Sequence, residues 1–205
     1  MLKVGLTGSI AVGKSFVCRC FADFGIHVLD ADLTAREVVA PGTSGLSEIV
    51  RSFGESVLAR DGSLDRKKLA SIVFSDPGLR ELLNSIVHPL VIARQNDWLE
   101  ELRSADPNGV AIIDAALMIE SGGYKRFNKL IVVWCEPEIQ LHRLMERDGL
   151  SKDEAELRIA AQMSQETKKS FADILIDTSA GFEKTRDRVA DVADELLLAA
   201  RTGSG

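Results

Sequence analysis

The chain has 205 residues, a formal net charge of −6, 45% hydrophobic residues and 27% charged ones. That balance suits one soluble core needing neither disulfide nor metal, and it excludes broad duplex binding, which rests on a basic field. No apolar run approaches the roughly 18 residues of a membrane span and no basic leader precedes the first strand. The three cysteines, Cys18, Cys20 and Cys135, show no CxxC spacing, so unpaired thiols in a cytoplasmic setting are expected.

In chain order, residues 3–7 form a short apolar run that reads as a buried strand, followed by a helix over 14–24. Cys18 and Cys20 lie two apart on that helix and share no face, so no role is assigned to them. His27–Asp30 reads as a second strand, with a helix over 33–39 behind it. Residues 33–109 are too many for a simple crossover and are mostly helical. Inside them Asp76-Pro77 is an N-cap followed by proline at the first helical position. His88-Pro89 marks a helix boundary, because the residue before proline avoids helical geometry.

Val110–Asp114 and 130–135 are unalternating apolar runs, as expected of parallel strands covered on both faces. Ser151 and Glu154 form a capping box ahead of a helix over 155–165. Ile174–Asp177 is the fifth strand. Val189, Val192, Ala193, Leu196 and Leu197 put one apolar stripe on a helix over 183–200. The terminal Thr-Gly-Ser-Gly is expected to be disordered. Strands alternating with helices give an α/β fold, a five-stranded parallel sheet flanked by helices.

The first strand runs into Gly8-Ser9-Ile10-Ala11-Val12-Gly13-Lys14-Ser15, a full match to GxxxxGK[ST]. Gly8 and Gly13 allow close approach and unusual backbone angles. Successive amides then cradle phosphate oxygens, and the helix that follows adds the positive end of its dipole. Lys14 brings a cation to the β- and γ-phosphates, and Ser15 supplies a hydroxyl to Mg²⁺. A chance match in a chain of this length is on the order of one in a hundred, so a P-loop NTPase fold is expected.

The loop alone does not separate kinase, GTPase and ATPase. A GTPase needs a base-reading NKxD and a DxxG. Asn128-Lys129-Leu130-Ile131 lacks the aspartate, and Asp114-Ala115-Ala116-Leu117 lacks the glycine. A small-molecule kinase is the better class.

Asp32, just past the second strand, has two readings of equal weight: acceptor of the substrate hydroxyl's proton, or N-cap of the helix over 33–39. Asp30 is the weaker candidate for the base, because it still belongs to the strand. Asp114 ends its strand as a Walker B carboxylate does, in indirect support of Mg²⁺. Glu120 is left with a capping or orienting role. His88, a lone histidine, reads first as structural. Arg143 and Arg147 are four apart and share a helical face, either as solvated charges or as guanidinium groups delivered to the transferring phosphate.

Taken together these pieces resemble the dephospho-coenzyme A kinase family from Val4 to about Glu195. They run in order: Gly-Leu-Thr-Gly at 5–8, Gly13-Lys14-Ser15, Asp30-Ala31-Asp32, Arg36-Glu37-Val38-Val39, His88-Pro89-Leu90, Leu117 to Glu120, Gln140-Leu141 with Arg143, Arg147-Asp148, Ala161-Gln162, Ala172-Asp173 and Ile176-Asp177. The resemblance implies phosphorylation of the 3′-hydroxyl of dephospho-CoA by ATP with Mg²⁺, the last step of CoA biosynthesis. It implies Asp32, Lys14 and Arg147 as catalytic residues. It implies ATP binding by Gly8, Ala11, Val12, Gly13, Lys14, Ser15, Phe16, Arg143 and Arg147, and substrate binding by Asp32, Arg36 and His88. It also implies one kinase domain with a core at 1–32, 109–141 and 169–200, a helical CoA-binding insertion at about 33–108 and a lid at about 142–168.

The chain departs from the family's common GGIGSGKST at Ser9, Ala11, Val12 and Phe16. The two missing glycines are expected to stiffen the loop. Ala116 stands in place of a usual proline, and Thr178 in place of a frequent asparagine near the expected adenine pocket.

Overall fold

A computed structural model describes residues 1–203; Ser204 and Gly205, half of the tail expected to be disordered, lie outside the described residues. The strands are β1 (Leu2–Gly8), β2 (His27–Asp30), β3 (Val110–Asp114), β4 (Lys129–Trp134) and β5 (Ile174–Asp177). They make one five-stranded sheet in the order β2-β3-β1-β4-β5. β1 pairs in parallel with β3 and with β4, and β4 pairs in parallel with β5. The five expected strands are all present, with β1 one residue longer at each end and β4 starting and ending one residue earlier.

The helices are α1 (Lys14–Asp23), α2 (Ala31–Glu37), α3 (Ser44–Phe53), α4 (Arg66–Phe74), α5 (Pro77–Ala105), α6 (Pro137–Asp148), α7 (Lys152–Ala160), α8 (Gln165–Lys169) and α9 (Phe182–Thr202). The chain divides into two compact units. One comprises Met1–Leu29 with Leu102 onward, and the other Asp30–Glu101.

In the first unit β3 is buried along its whole length and β1 everywhere but Lys3, as both-face cover requires. Val17 and Phe21 of α1, Val4 and Leu6 of β1, Ile131 and Val133 of β4, Ile176 of β5, and Val189, Val192 and Leu196 of α9 make one core. The apolar stripe read on α9 is therefore its buried face. α9 runs through Thr202, so the first residue of the expected tail is helical, and Gly203 follows at φ 67, a left-handed helix stop.

The second unit has its own core of Val39, Ile49, Val57 and Leu69, with Leu83, Ile86 and Val87 of α5 packed against it. The expected boundary at His88-Pro89 is absent, because α5 is continuous from Pro77 to Ala105 with Pro89 inside it. The packed positions explain this. Leu83, Ile86 and Val87 fall at helical spacing ahead of the proline, and the stripe continues at Leu90, whose side chain lies against Gly45. Apolar packing on both sides of Pro89 overrides the local bias of the residue before it. Asp76 caps this helix as expected, accepting from the amides of Gly78 and Leu79 at 2.8 and 3.2 Å.

Two further expectations need correction. α7 ends at Ala160 instead of continuing to 165, and α8 begins at Gln165. Ser164 accepts from the Thr167 amide at 3.1 Å, so a local cap starts a new helix where periodicity alone read one long one. The Ser151–Glu154 capping box is present in full. The helix after β2 starts at Ala31, and its cap is Asp30, whose carboxylate accepts from the amides of Asp32 and Leu33 at 2.7 and 3.0 Å. Asp32 is therefore not the cap. Asp30 has extended backbone angles while Ala31 is already helical, so the strand passes into the helix with no intervening loop.

Candidate functional site

β1 ends at Gly8 and α1 begins at Lys14, and the loop between them is shaped by what a side chain would strike. A Cβ on Gly8 would lie 2.6 Å from the Val133 carbonyl oxygen, so only glycine lets β1 leave the sheet beside β4 here. Gly13 sits at φ 87 with Thr178 against it, so a side chain there would meet both strain and a neighbour. No side chain caps α1, and its first turn holds no acidic residue. Its N-terminal amides and dipole are left for an external anion, as phosphate binding needs.

Ala11 has φ 60, the one non-glycine residue in the left-handed region among the described residues. That conformation costs an alanine roughly 1–2 kcal/mol, so other contacts must hold it. One of the two missing glycines is thus replaced by an alanine in a strained conformation. Its neighbours are pinned. The Ile10 amide donates to Gln162 Oε1 at 2.8 Å, and Gln140 Nε2 donates to the Ile10 carbonyl at 2.8 Å. Thr178 Oγ1 donates to the Val12 carbonyl at 2.7 Å. Ser9 Oγ donates to the Met163 carbonyl at 3.4 Å.

Lys14 Nζ lies 2.5 Å from Asp114 Oδ1, and Cys18 Sγ lies 3.4 Å from Asp114 Oδ2. The last residue of β3 is thereby joined to the loop lysine in a largely buried pair, with side chains 17% and 8% exposed. Ser15 opens the first turn of α1 and is exposed. A hydroxyl and a carboxylate are hard oxygen donors, the kind Mg²⁺ takes together with substrate phosphates and not inside a closed protein cage. Among the described residues no group of three or more His, Cys, Asp or Glu side chains could hold a metal on its own. Ser15 and Asp114 are thus oxygen donors of the kind that suit a divalent cation carried in with a nucleotide.

Phe16 does not turn toward the loop. Its ring packs on Phe182 with centroids 4.8 Å apart, and its amide donates to the Gly13 carbonyl at 3.0 Å. Arg143 spends both terminal nitrogens on Thr178, donating to Oγ1 and to the carbonyl at 2.8 Å each. Arg147 is exposed and bonded to Asp148 at 2.8 Å, and Arg158 meets the same carboxylate at 2.8 Å. The Arg147 hydrogen bond, then the two guanidinium charges, hold the Asp148 carboxyl below its ordinary range, and Asp148 in turn raises Arg147. Burial pushes the Cys20 and Cys135 thiols up, which keeps them unreactive. None of the three cysteines is in a disulfide.

In the Asp30–Glu101 unit, Asp32 and Arg36 are exposed positions four apart on α2, so they share a face. His88 is exposed on α5. Since Asp30 does the capping, the carboxylate of Asp32 is not committed to that helix end.

Sequence reasoning left two groups without a role. One is the set Gln140, Gln162 and Gln165, which with Ser9 line a cavity of about 510 Å³ beside the loop. Gln140 and Gln162 entered only as pieces of the family resemblance, and glutamine is usually a surface residue, so nothing in the sequence pointed to buried contacts for them. The other is Lys168, wholly buried, which donates to Glu120 and to the Ala116 carbonyl at 2.8 Å each. Glu120 thus anchors α8 to the segment after β3, and the unpaired charge that burial forbids was the signal available.

The family model described as dephospho-CoA kinase matches residues 2–184. A dephospho-CoA kinase from Streptomyces avermitilis is 48% identical over 197 residues, covering 96% of this chain and 95% of that one. Among solved structures, TT1252 from Thermus thermophilus superposes with a TM-score of 0.81 at 31% identity, covering 95% of this chain and 97% of the other. A dephospho-CoA kinase from Campylobacter jejuni gives 0.62 at 27% identity, covering 95% and 96%.

Proposed function

The chain belongs to the dephospho-CoA kinase family, and from that premise we propose that it transfers the γ-phosphoryl group of ATP to the 3′-hydroxyl of dephospho-CoA, releasing CoA and ADP as the last step of CoA biosynthesis. The observation that carries the reading is the family match over residues 2–184, which includes an intact phosphate loop. The amides of Ala11 to Ser15 and the Lys14 ammonium bind the β- and γ-phosphates. Lys14 leaves Asp114 for the nucleotide, and the loss of that pair is offset by a more highly charged partner. Ser15 and Asp114 would hold Mg²⁺, which would neutralise phosphate charge there. Arg147 binds the transferring phosphate, and Arg143 belongs to the nucleotide side through Thr178.

Asp32 accepts the proton of the attacking hydroxyl, a role supported by its release from capping. Arg36 and His88 bind the CoA portion, so the insertion at about 33–108 is the substrate-binding part, and 142–168 serves as the lid. No helix among the described residues is long and apolar enough to cross a membrane. We place the reaction in the cytoplasm, in keeping with three cysteines that form no disulfide.

The test is purified protein with Mg²⁺-ATP and 3′-dephospho-CoA, following ADP release and CoA by mass. CoA equal to ADP is expected. ADP without CoA would replace the acceptor, and neither product from protein that binds ATP would overturn the reading. In Asp32→Ala, kcat is expected to fall about 10²- to 10⁴-fold, the usual reach of general-base catalysis, with ATP affinity retained. An unchanged kcat would remove Asp32 from the mechanism.

A further inference from the structure

The left-handed alanine in the phosphate loop sits between two residues whose main-chain groups are both held from outside the loop. Ile10 is gripped at its amide by Gln162 and at its carbonyl by Gln140. Gln140 is 2% exposed and is itself fixed, since its Oε1 accepts from Gln165 Nε2 at 2.8 Å. Gln165 Oε1 in turn accepts from the Cys135 amide at 3.0 Å, which ties the series to the end of β4. On the other side of Ala11, Thr178 holds the Val12 carbonyl and is buttressed by Arg143. Every amide oxygen and nitrogen named in this series meets a partner of the complementary kind.

We propose that Gln140 and Gln162, braced by Gln165, are positioning residues that clamp Ile10 and so hold Ala11 left-handed, setting the direction in which the loop amides meet nucleotide phosphates. A glycine at position 11 reaches this backbone unaided, whereas alanine is driven out of it unless the residues beside it are fixed. The clamp replaces conformational freedom by imposed geometry, a case of local strain held by its surroundings at a functional loop. The consequence for nucleotide affinity rests on the kinase reading above; the clamp itself does not.

The chemistry makes the two glutamines unequal. Gln162 serves Ile10 as an acceptor, so Gln162→Glu keeps the bond and Gln162→Leu removes it. Gln140 serves as a donor, so Gln140→Glu removes its bond despite the same shape. At position 162 a residue that merely packed would not distinguish these changes, whereas Gln140→Glu also buries a carboxylate and is read only together with the Gln162 pair.

The experiment uses the full chain, first without nucleotide. Amide exchange at Ile10, followed by NMR, is expected to be slow in the wild type and in Gln162→Glu, and fast in Gln162→Leu. Titration with Mg²⁺-ATP by calorimetry is then expected to show Kd raised about tenfold in Gln162→Leu and in Gln140→Glu, the order set by releasing one left-handed alanine. The KM for dephospho-CoA should stay within about twofold of the wild type if the effect is confined to the loop. Ala11→Gly in the Gln162→Leu background is expected to recover at least about threefold in Kd, because glycine needs no clamp. Unprotected Ile10 in the wild type, equal losses in Gln162→Glu and Gln162→Leu, or no recovery by Ala11→Gly would each overturn the proposal. Failure of the wild type to make CoA would instead overturn the substrate assignment, while Ile10 exchange and ATP affinity would still decide the clamp.

Discussion

Lys168 illustrates how one side chain can be both unexpected and decisive. A lysine with no exposed surface is tolerated only when its charge is paired and its protons are satisfied, and here Glu120 and the Ala116 carbonyl do that at 2.8 Å each. Lys168→Ala removes one partner and leaves the other carboxylate beside the void. It is expected to cost about 3 kcal/mol, read as a lower denaturant midpoint with unchanged slope. A loss below about 1 kcal/mol would mean that Glu120 finds water or another partner at no cost. The sequence held half of this pair in view. Glu120 could be picked out beside Asp114, but its partner lies 48 positions along the chain, and no local pattern joins the two.

For whole elements, the sequence was most legible where apolar periodicity and burial agree. β2, β3 and β5 are bounded to the residue, because each is a short run that stops at an aspartate, Asp30, Asp114 or Asp177. The misreadings fall where a local signal was answered from elsewhere. Pro89 reads as a break, yet α5 passes through it because packing on both sides fixes the helix. Proline there still forfeits one hydrogen bond. Pro89→Ala is therefore expected to raise stability by about 1–2 kcal/mol, the interior penalty less the entropy that proline removes from the unfolded chain. Thermal unfolding checks the sign, and a lowered midpoint would show the ring packed better than a methyl.

The segment carrying α6 and α7 makes a different prediction. Asp148 joins Arg147 to Arg158, and its carboxyl lies below the ordinary value near 3.9. A lowered carboxylate stabilises the folded arrangement fully above that ordinary value, and the benefit is lost as pH falls through the lowered one. Between pH 8 and 5 the three-residue link should be constant, and it should open only in stronger acid. The side-chain N–H resonances of Arg147 and Arg158 report this directly. A midpoint at or above the ordinary carboxylate value would remove Asp148 as the link.

At the scale of the molecule, the phosphate loop, its lysine and the strand-end Asp114 are all readable, because each is a residue type whose chemistry needs that place in an α/β sheet, while the pairing of Asp114 with Lys14 is not. What escaped was the set of contacts that shape the loop: Gln140, Gln162 and Thr178 come from three later segments and reach Ile10 and Val12 across 130 to 166 positions. The central place of β1 has one more consequence, for the order of events during synthesis. Of the five strands β1 is made first, but its partners are β3, paired at Leu2 with Val110, and β4, paired at Gly8 with Val133. The chain must therefore grow from Leu2 to at least Val110 before either edge of that apolar strand is covered. The nascent chain spends that interval exposing a ready site for chaperones or for aggregation. A fragment ending at residue 128 should stay bound to a holdase such as an Hsp70, whereas one extended past Trp134 should begin to release.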